Sequence, residues 1–527
     1  MTYQGKVREI AAARSARAAE TGLHPLGATD VVIGKDILEL LSSAMYIDPM
    51  SIYREYVQNA ADAIDEARRS GQLAPDDVGR VELNIEPASR SVRIRDNGTG
   101  IPWPDFVRRM SALGASAKRG SRARGFRGVG RLGGLGYAQE LVFRSRTSGE
   151  TEVAEIRWDC RKLRTLLRAA ERGDITELLT DVVTAGRVAA TDYPERFFEV
   201  ELRGIVRLRA DRLMDPAAIS DYLGQVAPVP FSPEFQFGSE ITAALDGVVA
   251  VGHVHLSVSG IEGPVYRPHR NTFAIDEKSQ ATFSDLEIVE YPGVDGGIAA
   301  IGWVLHHDYE GAIPNAAQIK GLRLRCGNMQ VGDSILLEDL FPETRFNSWS
   351  VGEIHVVDPR ILPNGRRDHF EQNAHFHNLL NHITPTAREI ARRCRTGSIK
   401  RRLLRDFEIH RMGVAERLDI IGQKSVGAAK RESIAHDAER SIVEMEKIAE
   451  SSLIEAETAG DLRDSVQSLR SELAGSLKGK SLPRSPLARL PHEKRAMYEH
   501  LFELVYECST NRSAAKALVD RIITKIT

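Results

Sequence analysis

The chain has 527 residues, 42% hydrophobic and 27% charged, with 71 basic against 73 acidic side chains and a formal net charge of −2. That length exceeds what one hydrophobic core supports, so two to four domains are expected. The near-balance of charge removes any global electrostatic argument for nucleic-acid or membrane binding. Cys160, Cys326, Cys394 and Cys508 are far apart and form no C-x-x-C pair, which argues against a disulfide framework or zinc knuckle and for a reducing compartment. The longest apolar run, residues 296–305, is too short to span a bilayer. The first 20 residues lack the apolar centre of a secretory signal, and a cytoplasmic location without membrane contact is expected.

In chain order, 36–44 and 49–69 read as helices, followed by a polar turn region at 71–79. VELNIE (81–86) and SVRIRD (91–96) alternate apolar and polar residues about the turn PASR, the pattern of a β-hairpin. A glycine-dense segment fills 120–136, and alternation returns at 152–159 and 197–204. Helices before strands, without regular βαβ units, predict an α+β fold. Strands and turns dominate 235–358. After Pro385 the composition turns to Ala, Arg, Glu, Leu and Ile, predicting a helical region broken at 477–491 and ending in a helical run over 492–526. The predicted divisions are an arm at 1–30, a first domain at 31–232, a mixed α/β second domain at 233–385 and a helical region at 386–527.

Three segments carry chemistry. In YREYVQNAADAIDEA, Glu55, Asn59 and Asp62 fall at i, i+4 and i+7 on one helical face, opposite Tyr53, Val57, Ala60 and Ile64. A carboxylate and a carboxamide one turn apart suit metal-assisted hydrolysis. The amide oxygen is a ligand for phosphate-bound Mg²⁺, and the carboxylate a base for water. In RDNGTGIP, Asp96 ends a strand and can accept a hydrogen bond from an exocyclic amine, while Gly98 and Gly100, before Ile101, let backbone approach a flat base. In GFRGVGRLGGLG, Gly125, Gly128, Val129 and Gly130, followed by Arg131, form a loop whose backbone N–H groups suit a phosphate chain. Singly these are an amphipathic helix, a turn and a glycine-rich loop.

Their order and spacing resemble the GHKL superfamily of Bergerat-fold ATPases. The resemblance implies a catalytic base at Glu55, Mg²⁺ on Asn59, adenine recognition by Asp96, and a glycine loop closing over ATP as part of a mobile lid. Within that superfamily, YREYVQNAADAIDEAR, with Asp62, and LGASAKRGS, with Lys118, are similar to segments of the 90-kDa heat-shock chaperone family. LPNGRRDHFEQN (362–373) resembles that family's middle-domain catalytic loop. There Arg367 matches the arginine that reaches the γ-phosphate, a task suited to a fixed, forked charge.

The resemblance implies a Bergerat-type sandwich, then a mixed second domain that supplies a trans-acting arginine. It implies an ATP-hydrolysing clamp, with ATP and Mg²⁺ bound and an unidentified protein client. It departs from the family at Ser111 and Ala112, at Arg131, at Arg196-Phe197, and over the whole tail after Pro385. Two alternatives stay open: a nucleic-acid-associated GHKL ATPase of the MutL, topoisomerase or MORC type, and a nucleotide-gated scaffold without turnover. The first would use the basic run 391–405 and Lys320 as the trans-acting residue. The C-terminal helices are also expected to allow a homodimer.

Overall fold

The computed structural model describes residues 48–74, 76–112, 130–168, 175–249, 254–277, 279–478 and 485–526. The expected helix at 36–44 lies outside them. Two compact units divide the chain: residues 1–307 with 312–388, and 308–311 with 389–527.

The first unit is α+β, as the sequence predicts. Helix α1 (Ser51–Arg69) precedes the hairpin β1 (Arg80–Glu86) and β2 (Ser91–Asp96), which pairs Val81 with Asp96 and Glu86 with Ser91. Helix α2 (Trp103–Ser111) follows, and residues Gly130–Gly136 form a 3₁₀ helix. Strands β3 (Glu140–Arg146) and β4 (Glu152–Asp159) lead to helices α3 (Cys160–Arg168) and α4 (Ile175–Val182), then strands β5 (Val183–Ala189) and β6 (Phe197–Arg203). Helices α5 (Pro216–Val226) and α6 (Gly238–Leu245) precede the short strand β7 (His255–Val258). The resulting sheet runs β5-β4-β3-β6-β2-β1-β7, antiparallel except where β7 lies parallel to β1.

The period-2 alternation sorts this sheet's two faces. Val81, Leu83, Val92, Ile94, Leu141, Phe143, Ile156, Val200 and Leu202 enter a core shared with Tyr53, Val57, Ala60 and Ile64 of α1. On the other face, Arg95, Glu199, Arg144 and Glu155 stand opposite one another across four strands. Arg144 bonds Glu155, Glu199 and Glu201, each at 2.7 Å. Such rows satisfy charges that would be costly to bury unpaired.

The second core is built on strands β10 (Asp285–Pro292), β11 (Ile298–His306), β12 (Gly321–Cys326), β13 (Met329–Val331) and β14 (Val351–Val356), ordered β10-β11-β14-β12-β13. The short strands β8 (Thr272–Ala274) and β9 (Gln280–Thr282) pair alongside. The chain does not divide cleanly at 232. Ile241 and Leu245 of α6 pack in the second core, after which Leu256 and Val258 of β7 return to the first.

Helix α7 (Ala374–Gln423) is 50 residues long and runs through Pro385, so it starts before the helical region expected at 386, while the second unit takes up the chain at 389. Asn373 opens it, its side-chain oxygen accepting the Phe376 N–H at 2.9 Å. The second unit continues with helices α8 (Ala428–Ala449), α9 (Ala456–Lys478), α10 (His492–Cys508) and α11 (Arg512–Ile526), so the expected last run is two helices. None of the four cysteines forms a disulfide among the described residues. Among the described residues no helix is long and apolar enough to cross a membrane.

Candidate active site

Helix α1 fixes the site because its inner face is locked: Ile52, Tyr53, Val57, Ala61 and Ile64 are fully buried. Rotation about the helix axis is thereby excluded, and Glu55, Asn59 and Asp62 share the adjoining face. Glu55 and Asp62 are buried and Asn59 is half-buried. Glu55 Oε1 is enclosed without a hydrogen-bond partner, with Arg54 Nη2 3.6 Å away.

Gly130 lies directly over Glu55, and a Cβ there would overlap the carboxylate Oε2. Only glycine leaves room for both. The 3₁₀ helix that Gly130 opens is pinned to α1 by Tyr56. Its hydroxyl donates to the Arg131 carbonyl at 3.1 Å and accepts the Gly134 N–H at 3.0 Å. Arg131 itself donates to the Ala112 carbonyl, and burial lowers its pKa to about 10.

The other end of the face meets β2. Asp96 is buried, and its Oδ1 accepts the Gly98 N–H at 2.9 Å. Gly98 is pressed against α1, where a Cβ would come within 2.7 Å of Ala63 Cβ. Gly100 has φ +67°, and a Cβ there would overlap the Arg146 carbonyl oxygen. The Ile101 N–H donates to Ser145 Oγ at 2.6 Å. Asp96, Phe198 and Ser145 align across β2, β6 and β3, so the pleat puts Asp96 and Ser145 on the sheet's helical face. Glu55 and Ala63 are eight residues apart, about 12 Å of helix. One strip of α1 therefore has a carboxylate–glycine contact at one end and the Asp96 turn at the other.

The loop at 362–373 reaches this face. It is held as a narrow turn by Asn364 N–H to His369 O and Glu371 N–H to Leu362 O, both 2.8 Å, with Pro363 bridged to Phe370. Arg54 Nη2 donates to the Arg366 carbonyl at 2.9 Å. Arg367 is buried at φ +56°, and its carbonyl accepts the Gly332 N–H at 2.8 Å. Left-handed backbone at a non-glycine residue costs about 1–2 kcal/mol, and such strain clusters at functional positions. Burial lowers the Arg367 pKa, and the nearby Glu55 carboxylate partly restores it, with Asp62 contributing in the same sense.

Glu55, Asn59, Asp62, Asp96, Gly98, Gly100, Ile101, Gly130, Arg131 and Arg367 are therefore all placed around α1 or on segments packed against it. Lys118, Gly125, Gly128 and Val129 lie outside the described residues. Lys320, the alternative trans-acting residue, donates to Asn315. Sequence reasoning missed Tyr56, Arg54 and Ser145. The first two stand in the same motif as Glu55, but nothing in the spacing singles out their polar atoms. An enclosed carboxylate oxygen with no hydrogen-bond partner, a half-buried amide one turn on, and a glycine whose lack of a side chain makes room for the carboxylate fit a metal–triphosphate group.

Residues 49–173 match the family of histidine kinase-, DNA gyrase B-, and HSP90-like ATPases. The chain is similar to the chaperone protein HtpG of Streptomyces coelicolor, 31% identical over 149 residues, or 25% of this chain and 23% of that protein. It is similar to the HtpG of Methylorubrum populi, 29% identical over 223 residues, 38% of this chain and 34% of the relative. With the HtpG of Polaromonas naphthalenivorans the identity is 23% over 202 residues, 34% and 30% of the two chains. The matched stretches span about a third or less of these relatives. Residues 49–173 are thus a GHKL-type ATPase domain, in a chain whose similarity to HtpG is distant and covers about 35% of its length.

Proposed function

We propose that the chain is an ATP-hydrolysing conformational clamp resembling a 90-kDa heat-shock chaperone. The single observation that carries this reading is the position of Arg367: a strained, buried arginine from the second core, set in the electrostatic field of Glu55 on the ATPase helix.

Asp96 holds the adenine end, its carboxylate being an acceptor suited to an exocyclic amine. Gly130 and the following turn lie along the phosphates with their N–H groups. Asn59 would hold Mg²⁺, which would neutralise charge on the β- and γ-phosphate oxygens. Glu55 orients water and accepts its proton. Its carboxylate is confined by Gly130 on one side and Arg54 on the other, so it needs little reorganisation. Arg367 faces the charge that develops as the phosphoryl group leaves, with its guanidinium already desolvated. Base and arginine come from different cores, so hydrolysis depends on their docking, which couples turnover to conformation.

Glu55→Ala is expected to keep ATP binding and to lower turnover by roughly 10²–10⁴-fold, the worth of a general base. Asp96→Asn is expected to weaken ATP binding instead. A Glu55→Ala protein with unimpaired phosphate release would remove the carboxylate from the reaction.

A protein client, a cytoplasmic setting and a homodimer belong to the same proposal. Four cysteines outside any disulfide support the setting. Exposed Met497, Leu501 and Leu504, at i, i+4 and i+7 on α10, support self-association, which a solution mass measurement decides. Within the basic run 391–405, Arg392 and Arg393 pair with Glu389 and Lys400 with Glu455. That favours a solvated helix face over a nucleic-acid contact, and steep salt-dependent stimulation of turnover by DNA or RNA would reverse the preference.

A further inference from the structure

A cleft of about 580 Å³ opens in the second unit between residues 413–417 of α7 and the start of α11. We propose that it binds the phosphate group of a small hydroxyl-bearing anion, independently of the ATPase site.

Two arginines face the cleft. Arg417 lies across Gly413, where a Cβ would stand 2.9 Å from Nη1, so the glycine makes room for the guanidinium. Its Nε is enclosed and has no hydrogen-bond partner. Arg512 enters from α11, close enough that, after burial, it is the largest influence disfavouring the Arg417 charge. Neither arginine has an ion pair among the described residues. Asp437, the first of the carboxylates offsetting this, is itself paired with Arg440.

Two like charges side by side in a cleft are a standing electrostatic cost that a bound anion would relieve. The remaining lining suits an oxyanion. Thr510 and Ser513 offer hydroxyls. Asn511 accepts the Ala514 N–H through its side chain and the Ala515 N–H through its carbonyl, each at 3.0 Å. The amides of Arg512 and Ser513, at the first two helical positions, then have no acceptor within the helix. Forked guanidinium donors, hydroxyls and these amides match phosphate geometry. Glu416 on the rim disfavours a ligand that is anionic throughout, and can accept from hydroxyls on the neutral part.

The test is calorimetric titration of the full chain with inorganic phosphate and, separately, with glycerol 3-phosphate, at matched ionic strength set by chloride. A saturable event is expected for both, tighter for the ester. It should weaken at least tenfold in Arg417→Gln and in Arg512→Gln, and persist in Arg367→Ala, which lacks only the arginine assigned to the ATP phosphates. Unchanged melting temperatures of the two cleft variants without phosphate show that the fold is intact. Binding of phosphate alone, without gain from the ester, overturns the hydroxyl-bearing ligand. Absence of binding, or binding that survives both cleft substitutions or disappears with Arg367→Ala, overturns the site.

Discussion

Tyr56→Phe isolates the bond pair that holds the glycine turn against α1. Phenylalanine fills the same space, so no cavity opens, and the perturbation is confined to the hydroxyl that bonds Arg131 O and Gly134 N. Gly134 is buried, so its N–H is left without a partner or water. A buried donor stranded in this way costs about 1–3 kcal/mol, and the bond to the half-buried Arg131 carbonyl adds about 0.5–1. The sum, about 1.5–4 kcal/mol, measures how much less the turn prefers its docked position. If the turn docks along the phosphates, that loss is carried into nucleotide affinity, which should fall by roughly ten- to several hundredfold at 1.4 kcal/mol per decade. Titration calorimetry with a non-hydrolysable ATP analogue measures the affinity, and urea unfolding measures the stability. Affinity within twofold of wild type, at equal stability, would refute the reasoning. Lost stability with unchanged affinity would confine Tyr56 to the fold.

Gly130→Ala should displace the Glu55 carboxylate, because a Cβ and Oε2 cannot share the space. Turnover is expected to fall at least tenfold, with melting shifted by only a few degrees; normal steady-state turnover would show that the two do not face each other. The histidines of the second core set a pH dependence. Burial, chiefly, lowers His269 to about 3 and His355 to about 4. Both stay neutral when folded but protonate near 6.5 when unfolded, so their contribution is complete above pH 6.5 and is lost as pH falls toward 4. Between pH 7.5 and 5.5 this amounts to about 2–3 kcal/mol for the pair. Denaturant titrations at the two pH values measure it, and a flat profile contradicts the assignment. Glu353→Gln should cost about 3–5 kcal/mol. Burial works against its charge, but Arg267 and Arg325 outweigh that and hold the carboxyl well below the usual range. Removing it leaves two buried guanidinium groups facing each other. A thermal melt checks this, and a loss under 1 kcal/mol would mean that the cluster is hydrated.

Much of the first sheet and its helix could be read from periodicity. The spacing of Glu55, Asn59 and Asp62 fixed their common face, and alternation located β1, β2, β4 and β6. What escaped depends on pairing across long separations. β7 has four residues, and its parallel partner β1 lies far back in the chain, so no local pattern announces it. Pro385 was read as the start of the helical region, and the units do divide nearby, yet α7 is continuous through it. One lost helical N–H is tolerated where the neighbouring turn is anchored, as by Tyr291 Oη and Thr386 Oγ1 at 3.2 Å. Arg367 was found only through resemblance to a family motif. Its left-handed backbone and its enclosure depend on Gly332 and on a helix more than 300 positions away. Tyr56 went unremarked because nothing local distinguishes its hydroxyl, and only the folded turn gives that hydroxyl two partners.

The thread between the two cores crosses three times: out through α6, back through β7, and out again. An expression fragment ending at 232 would therefore lack the strand that shields β1, baring a row of hydrogen-bonding groups that recruits other chains. Extending it to 268 would keep β7 but strand the apolar side of α6 in water. The ATPase half is stitched to its neighbour rather than strung beside it, so separating them by truncation should yield aggregation rather than an autonomous enzyme.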